Sequence, residues 1–309
     1  MSFDSLDIIP FTNKNKLQVN IPGSKSISNR ALILAVLNNK PVKLNGILKS
    51  EDVEIMISCL RELGIKIENQ GDGDALLVNG TSGIIPSKKT DLNVGNAGTV
   101  ARFLTALLAL QQRGEFTLDG SEAMRKRPMK GLIVALESHG TKFEFIGDEY
   151  CFPFKMICKG ITSDNWLIDA SNSSQIISAI LLIAPLISGN THINLINGTV
   201  SRPFVNMTLE MMKEFALEIS GNLIICDDRY EIPCFQYQLT QNEYQIEPDA
   251  TAASYFLSLP IAIGGDIHIN GIQDCRLQGD IEFCKIISKC GLSLSKTDNG
   301  IEVSCIDHI

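Results

Sequence analysis

Four segments of this chain each close a helix-like run and then alternate as a strand, at an almost constant interval. They read CLRELGIKIE, ALESHGTKFEF, MMKEFALEIS and ISKCGLSLS, with matching positions Gly64, Gly140, Ala216 and Gly291, spaced 76, 76 and 75 residues apart. Self-similarity at a fixed period means one supersecondary unit stacked on its own copies, which excludes most other folds at once. Glycine at this landmark suits a helix C-cap, just before the apolar period changes from 3.6 to 2.

Further upstream each copy shows a short strand closed by an Asx-Gly turn: VKLNG (Gly46), FTLDG (Gly120), NLING (Gly198) and IHING (Gly271). Before those come a polar start and an apolar, helix-like run: SKSISNRALILAVL, NAGTVARFLTALLAL, SNSSQIISAILLIA and DATAASYFLSLPIA. The unit is therefore polar start, helix, strand, turn, second helix, glycine and strands, an α/β repeat. Glu231–Ile246 departs from the helical pattern and reads as a crossing between domains. The residues before Pro22 read as belonging to a different domain from the residues after it.

Composition narrows the function. With 44% hydrophobic and 20% charged residues the chain is ordinary globular material, and its 309 residues suggest two domains. A net charge of −8 argues against a general nucleic-acid binder, although one local basic cleft remains compatible with it. The start, MSFDSLDIIP, has acids and no apolar core of a signal peptide, and Ile176–Gly189 is too short to span a bilayer. Nine cysteines without a CxxC pair and four scattered histidines fit reduced thiols in a cytoplasm and no metal site.

The polar starts carry the chemistry. Ser, Thr, Asn and Gly at a helix start leave backbone N–H groups pointing outward, and the helix end favours an anion. Cations coincide with these starts: Lys25 and Arg30 in PGSKSISNR, Arg102 in GNAGTVAR, Arg125, Lys126 and Arg127 in MRKRPM, and Arg202 in SRPF. Taken singly, each polar residue is ordinarily a plain cap and each cation a solvated one; their joint placement points to focusing on a phosphorylated, polyanionic ligand. There is no P-loop, no dinucleotide G-x-G-x-x-G and no G-x-S-x-G elbow. Asp249, in EPDATAASYF, reads as a cap for its helix.

The segments PGSKSISNRA, GNAGTVAR, MRKRPM, SNSSQ, VSRPF, EPDATAASYF and LQGDI occur in an order that resembles the 5-enolpyruvylshikimate-3-phosphate synthase family through essentially the whole chain. The resemblance implies an enolpyruvyl transferase fold, an inside-out α/β barrel of βαβαββ units. Four of the family's six units would be present: residues 21–246 as one complete three-unit lobe, and 1–20 with 247–309 as part of the other. It implies transfer of the enolpyruvyl group from phosphoenolpyruvate to the 5-hydroxyl of shikimate 3-phosphate, with release of phosphate, in chorismate and aromatic amino-acid biosynthesis. No cofactor or metal is implied, and the enzyme would be a cytoplasmic monomer with no nucleic-acid or membrane partner.

By motif, the resemblance places Lys25 on both substrates as the catalytic residue. It places Ser26, Arg30, Ser173, Ser174, Gln175 and Ser201 on shikimate 3-phosphate. It places Asn96, Gly98 and Arg127, with Lys25 and Gln175, on phosphoenolpyruvate, and Arg102 behind them as a supporting charge. Two departures stand out. Arg202-Pro203-Phe204 replaces the family's Lys-Pro-Tyr, which removes a hydroxyl. The family's aspartate base and later basic segments are also not found, and Asp307 and His308 do not replace them, so the chain is expected to be inactive alone. Two other readings remain: a non-catalytic shikimate 3-phosphate-binding remnant, and an enzyme like UDP-N-acetylglucosamine enolpyruvyl transferase.

Overall fold

A computed structural model of the chain describes residues 16–71, 74–219, 223–226 and 228–305. The opening MSFDSLDIIP, Asp307 and His308 lie outside the described residues. Residues 23–246 form one compact unit; the described residues before 23 and from 247 onward form a second. Ile21 packs in the core of the second unit, and the boundary falls two residues beyond the one expected from sequence.

In the first unit the order is α1 (Lys25–Leu37), β2 (Val42–Asn45), α2 (Glu51–Glu62), β3 (Ile67–Gln70) and β4 (Ala75–Val78), preceded by β1 (Leu17–Asn20) of the second unit. The next repeat runs β5 (Lys89–Asn93), α3 (Gly98–Ala109), β6 (Gly114–Asp119), a short α4 (Glu122–Arg125), α5 (Lys130–Glu137), β7 (Lys142–Phe145) and β8 (Phe154–Cys158). The third runs β9 (Asn165–Ala170), α6 (Ser174–Ile183), β10 (Thr191–Thr199), α7 (Arg202–Phe215), β11 (Ile224–Ile225) and β12 (Arg229–Ile232), and is followed by β13 (Glu243–Gln245).

Each sheet has the same order, one parallel pair followed by two antiparallel neighbours: β13-β2-β4-β3, β5-β6-β8-β7 and β9-β10-β12-β11. Strands such as β2, β8 and β9 bury every second residue, so one face of each sheet meets the core and the other meets water. The helices α1, α3 and α6 are buried on all sides over nearly their whole length, with most of their polar residues in the first turns, which puts them at the centre. By contrast α2 buries only Val53, Met56, Ile57, Cys59 and Leu60, a one-sided stripe, and keeps its charges in water.

The landmark glycines bear out the helix C-cap in three repeats, with φ of +89° at Gly64, +105° at Gly140 and +86° at Gly291. Ala216 does otherwise. It leaves α7 in an extended conformation, φ −81°, and bridges to Tyr237, because a Cβ makes the left-handed cap costly. The segment Glu231–Ile246 is more ordered than a crossing: it carries β13, which pairs in parallel with β2 and completes the first sheet.

The second unit holds the fourth copy. Its sheet, β1-β14-β16-β15, comprises β14 (Asp266–Asn270), β15 (Leu292–Thr297) and β16 (Gly300–Cys305) with β1, and packs on α8 (Ala250–Ile263) and the short α9 (Phe283–Ile287). Ala253, Leu257, Ile267, Ile269, Ile287 and Val303 form its core. Asp249 caps α8 by accepting from Ala252 N at 2.9 Å.

Candidate functional site

Within the first unit, the helices α2, α3, α6 and α7 each start just beyond the carboxyl end of a strand in a parallel pair. Ligand crevices of α/β sheets lie at that edge, because helix N-termini and strand-end loops gather there. Several side-chain contacts show which starts meet. Gln175, in the first turn of α6, donates from Nε2 to Thr99 Oγ1 at the start of α3 (3.1 Å). At the start of α1, Lys25 Nζ lies 3.4 Å from Asp52 Oδ2 in the first turn of α2.

Gly98 marks a point where these side chains converge. A Cβ there would stand 3.0 Å from Arg127 Nη1, 3.1 Å from Arg102 Nη1 and 3.4 Å from Gln175 Oε1. The backbone is ordinary helix, so glycine is needed here for space and not for its φ range. Two guanidinium groups therefore reach one small volume in front of a helix N-terminus, where like charges repel unless an anion lies between them. Arg102 is 7% exposed; Nη1 donates to Gly98 O (2.9 Å) and Nη2 to Pro128 O (3.3 Å), while its buried Nε has no acceptor among the described residues. Burial, and after it the charge of Arg127, brings Arg102 down from 12.5 to about 10.

Arg30 is enclosed by the protein. The resemblance puts it on the shikimate ligand; it is 2% exposed and most of its donors are taken by the protein. Nε donates to Thr208 Oγ1 (2.8 Å), Nη1 to Ser26 O (2.9 Å), and Nη2 to Phe204 O (3.2 Å) and Ser178 Oγ (3.3 Å). The rings of Phe103 and Phe204 lie 5.3 and 6.0 Å from its guanidinium carbon. Arg30 thus ties the starts of α1 and α7 to α6, and Phe204, without a tyrosine's hydroxyl, serves as wall and carbonyl acceptor. Burial pulls Arg30 down from 12.5 to about 9.

The serines divide by exposure. Ser173 caps α6, accepting from Gln175 N at 3.2 Å, which leaves its O–H able to donate outward. Ser174 is buried at 6%, beside it. Ser201 is exposed at the start of α7 in the left-handed conformation, φ +55° and ψ +49°. Asn96 and Arg127 are exposed and Lys25 is accessible at its charged end. Arg125 leaves the cation set, because Asp119 accepts from its Nε at 2.9 Å and pairs with the same guanidinium. Arg202 Nη2 is 3.9 Å from Asp228 Oδ1.

Sequence reasoning missed four supporting residues. Asp52 looks like one of three acids placed against the α2 dipole, and Thr99 is hidden inside its own motif. Ser178 and Thr208 read as ordinary helical residues; their polarity in otherwise apolar runs was the available signal. Among the described residues no group of His, Cys, Asp and Glu could hold a metal, and no helix is long and apolar enough to cross a membrane.

The arrangement has recognisable relatives. The family model for EPSP synthase (3-phosphoshikimate 1-carboxyvinyltransferase) matches residues 12–306. A curated 3-phosphoshikimate 1-carboxyvinyltransferase of Opitutus terrae is 41% identical over 291 residues, covering 93% of this chain and 66% of that protein. One from Vibrio atlanticus is 36% identical, covering 98% and 70%. The solved EPSP synthase of Acinetobacter baumannii superposes with a TM-score of 0.78 at 19% identity, over 97% of this chain and 66% of that one. The chain thus spans about two thirds of the length of these relatives. The matches run through nearly all of this chain and lend no support to the expectation that it is inactive.

Proposed function

The chain belongs to the EPSP synthase (3-phosphoshikimate 1-carboxyvinyltransferase) family, and from that premise we propose that it serves enolpyruvyl transfer from phosphoenolpyruvate to the 5-hydroxyl of shikimate 3-phosphate. The observation that carries this reading is the convergence of Arg102, Arg127 and Gln175 on Gly98, with positive charge left uncompensated. Both substrates are phosphorylated carboxylates, so donors fixed before they arrive hold them without reorganisation.

In this reading Ser173, Ser174 and Ser201 hold the phosphate of shikimate 3-phosphate. Ser26 contacts its ring, and Arg30 braces the walls while its charge favours the carboxylate. Arg127 grips phosphoenolpyruvate, which approaches the α3 N-terminus through the gap at Gly98, with Asn96 shaping the turn. Gln175, oriented by Thr99, lies between the two ligands. Addition of the 5-hydroxyl to C2 takes a proton at C3 and gives a ketal phosphate; loss of phosphate and of a C3 proton then yields the enol ether. Lys25, held near Asp52, is the charge beside the bridging phosphate oxygen and assists the proton transfers. The chemistry on these residues uses no cofactor.

The test pairs a titration of shikimate 3-phosphate with an assay of phosphate release from both substrates. Saturable binding with release that requires both ligands supports transfer. Binding without release makes the chain a binding protein only. No binding at millimolar shikimate 3-phosphate sinks both readings.

A further inference from the structure

At the opposite end of α3 the first unit carries a second concentration of positive charge. A hollow of about 600 Å³ is lined by Lys88, Lys89, Arg113 and Lys159, with Glu115 the one acid on its wall. Glu115 is already paired with Lys155 at 3.1 Å. Among the described residues none of the four cations forms an ion pair within 4.0 Å, although the charge of Lys89 also acts on Glu115 through space; Lys88 Nζ donates to Ile85 O at 2.7 Å. An adjoining hollow of about 380 Å³ shares Lys88 and Arg113 and adds an apolar wall of Ile84, Leu110 and Leu186. Ile84 is 66% exposed.

The walls are held in place. Buried Gln111 accepts from Ile85 N (2.9 Å), donates to Gly83 O (2.8 Å), and its carbonyl accepts from Gly160 N (2.8 Å). One side chain and its own backbone thus pin the loops that carry Lys88 and Lys159 to the end of α3. Cations near a helix C-terminus are ordinarily explained by the dipole, but that end carries only about half a negative charge. Four cations exceed it severalfold, in a chain whose net charge is −8. The 12 residues of α3 put this surface about 18 Å from Gly98, at 1.5 Å per residue, so it is not an extension of the site above.

We propose that this surface is a second anion-binding site for a small organic polyanion. Its phosphate or carboxylate groups lie against Lys88, Lys89, Arg113 and Lys159, and its apolar body against Ile84, Leu110 and Leu186. Electrostatic focusing by cations over an apolar wall gives both the attraction and the orientation.

Calorimetric titration with magnesium-free adenosine triphosphate, and with tripolyphosphate as the anion lacking an apolar body, tests it. The triphosphate nucleotide should bind at least threefold tighter, and Ile84→Ser should erase that difference. Lys89→Gln with Arg113→Gln should weaken binding at least tenfold while leaving circular dichroism and thermal midpoint unchanged; Arg127→Ala, at the other end of α3, should leave it within twofold. No binding of either probe at 5 mM, or binding lost in Arg127→Ala but kept in the double variant, overturns the site. Equal affinity for the two probes overturns the role of the apolar wall. None of these outcomes depends on enolpyruvyl transfer.

Discussion

Replacing Gly98 by alanine tests whether the glycine at the start of α3 is there for the fold or for the ligand. Alanine is favoured over glycine inside a helix by roughly 0.5–1 kcal/mol. Against this, the new methyl stands 3.0 and 3.1 Å from the guanidinium ends of Arg127 and Arg102, and these must give by a few tenths of an ångström. Arg127 is exposed and moves at little cost; Arg102 is buried and bonded to Gly98 O, so it moves less. The two effects nearly cancel, and stability should stay within about 1 kcal/mol, a shift of no more than about 4 °C in thermal midpoint. Ligand binding should not be spared. The methyl fills the volume where the donors converge, and forfeiting one charge-assisted hydrogen bond costs about 1.5–3 kcal/mol, roughly 10- to 100-fold in affinity. Thermal melts and titration of phosphoenolpyruvate in saturating shikimate 3-phosphate read the two effects separately. A stability loss above about 2 kcal/mol, or an unchanged affinity, would refute the argument.

Arg30→Met should leave stability within about 1.5 kcal/mol, since Thr208 still donates to Phe204 O (2.8 Å) and a desolvated cation is removed, but should weaken shikimate 3-phosphate binding at least tenfold. A loss above about 4 kcal/mol in denaturant melts would show that the guanidinium's hydrogen bonds dominate instead. His139 is buried, stacked on Trp166 at 3.7 Å, with ring nitrogens 2.8 and 3.0 Å from Ala135 O and Asn165 O. His139→Ala should therefore cost about 2–4 kcal/mol. The chain's one tryptophan reports it directly, and unaltered Trp166 emission with unaltered stability would contradict the packing. Burial pushes the thiols of Cys59 and Cys158 up to about 12 from 9.0. Above pH 9 the unfolded chain loses these protons first, so the stability they support is full below pH 9 and declines between 9 and 12. At pH 10 the loss is about 3 kcal/mol for the pair. A Cys59→Ala/Cys158→Ala variant whose stability declines with pH as steeply as the parent's would rule this out.

Much of the architecture was legible in the sequence because its signals are local. The C-cap glycines, the Asx-Gly turns at Gly46 and Gly271 and the mainly apolar runs of α1, α3 and α6 each arise from one stretch of chain, whereas Asn197-Gly198 lies inside β10 at a shift of register. The partner of β2 was not legible: β13 comes nearly 200 residues later and its three residues carry no period of their own. Nor was the role of Arg30 visible, since a cation at the start of a helix reads the same whether it faces water or Thr208.

By itself, then, the sequence determined the repeat, its order of elements and the polar starts that mark one end of each inner helix. Backbone propensity and apolar period act over a few residues and survive inspection in one dimension. Only the tertiary structure decided that Arg102, Arg127 and Gln175 meet at Gly98, that Asp52 stands beside Lys25, and that Arg30 is enclosed. Those are distances between segments up to 178 residues apart, as between Arg30 and Thr208, and burial changes what the same charge can do.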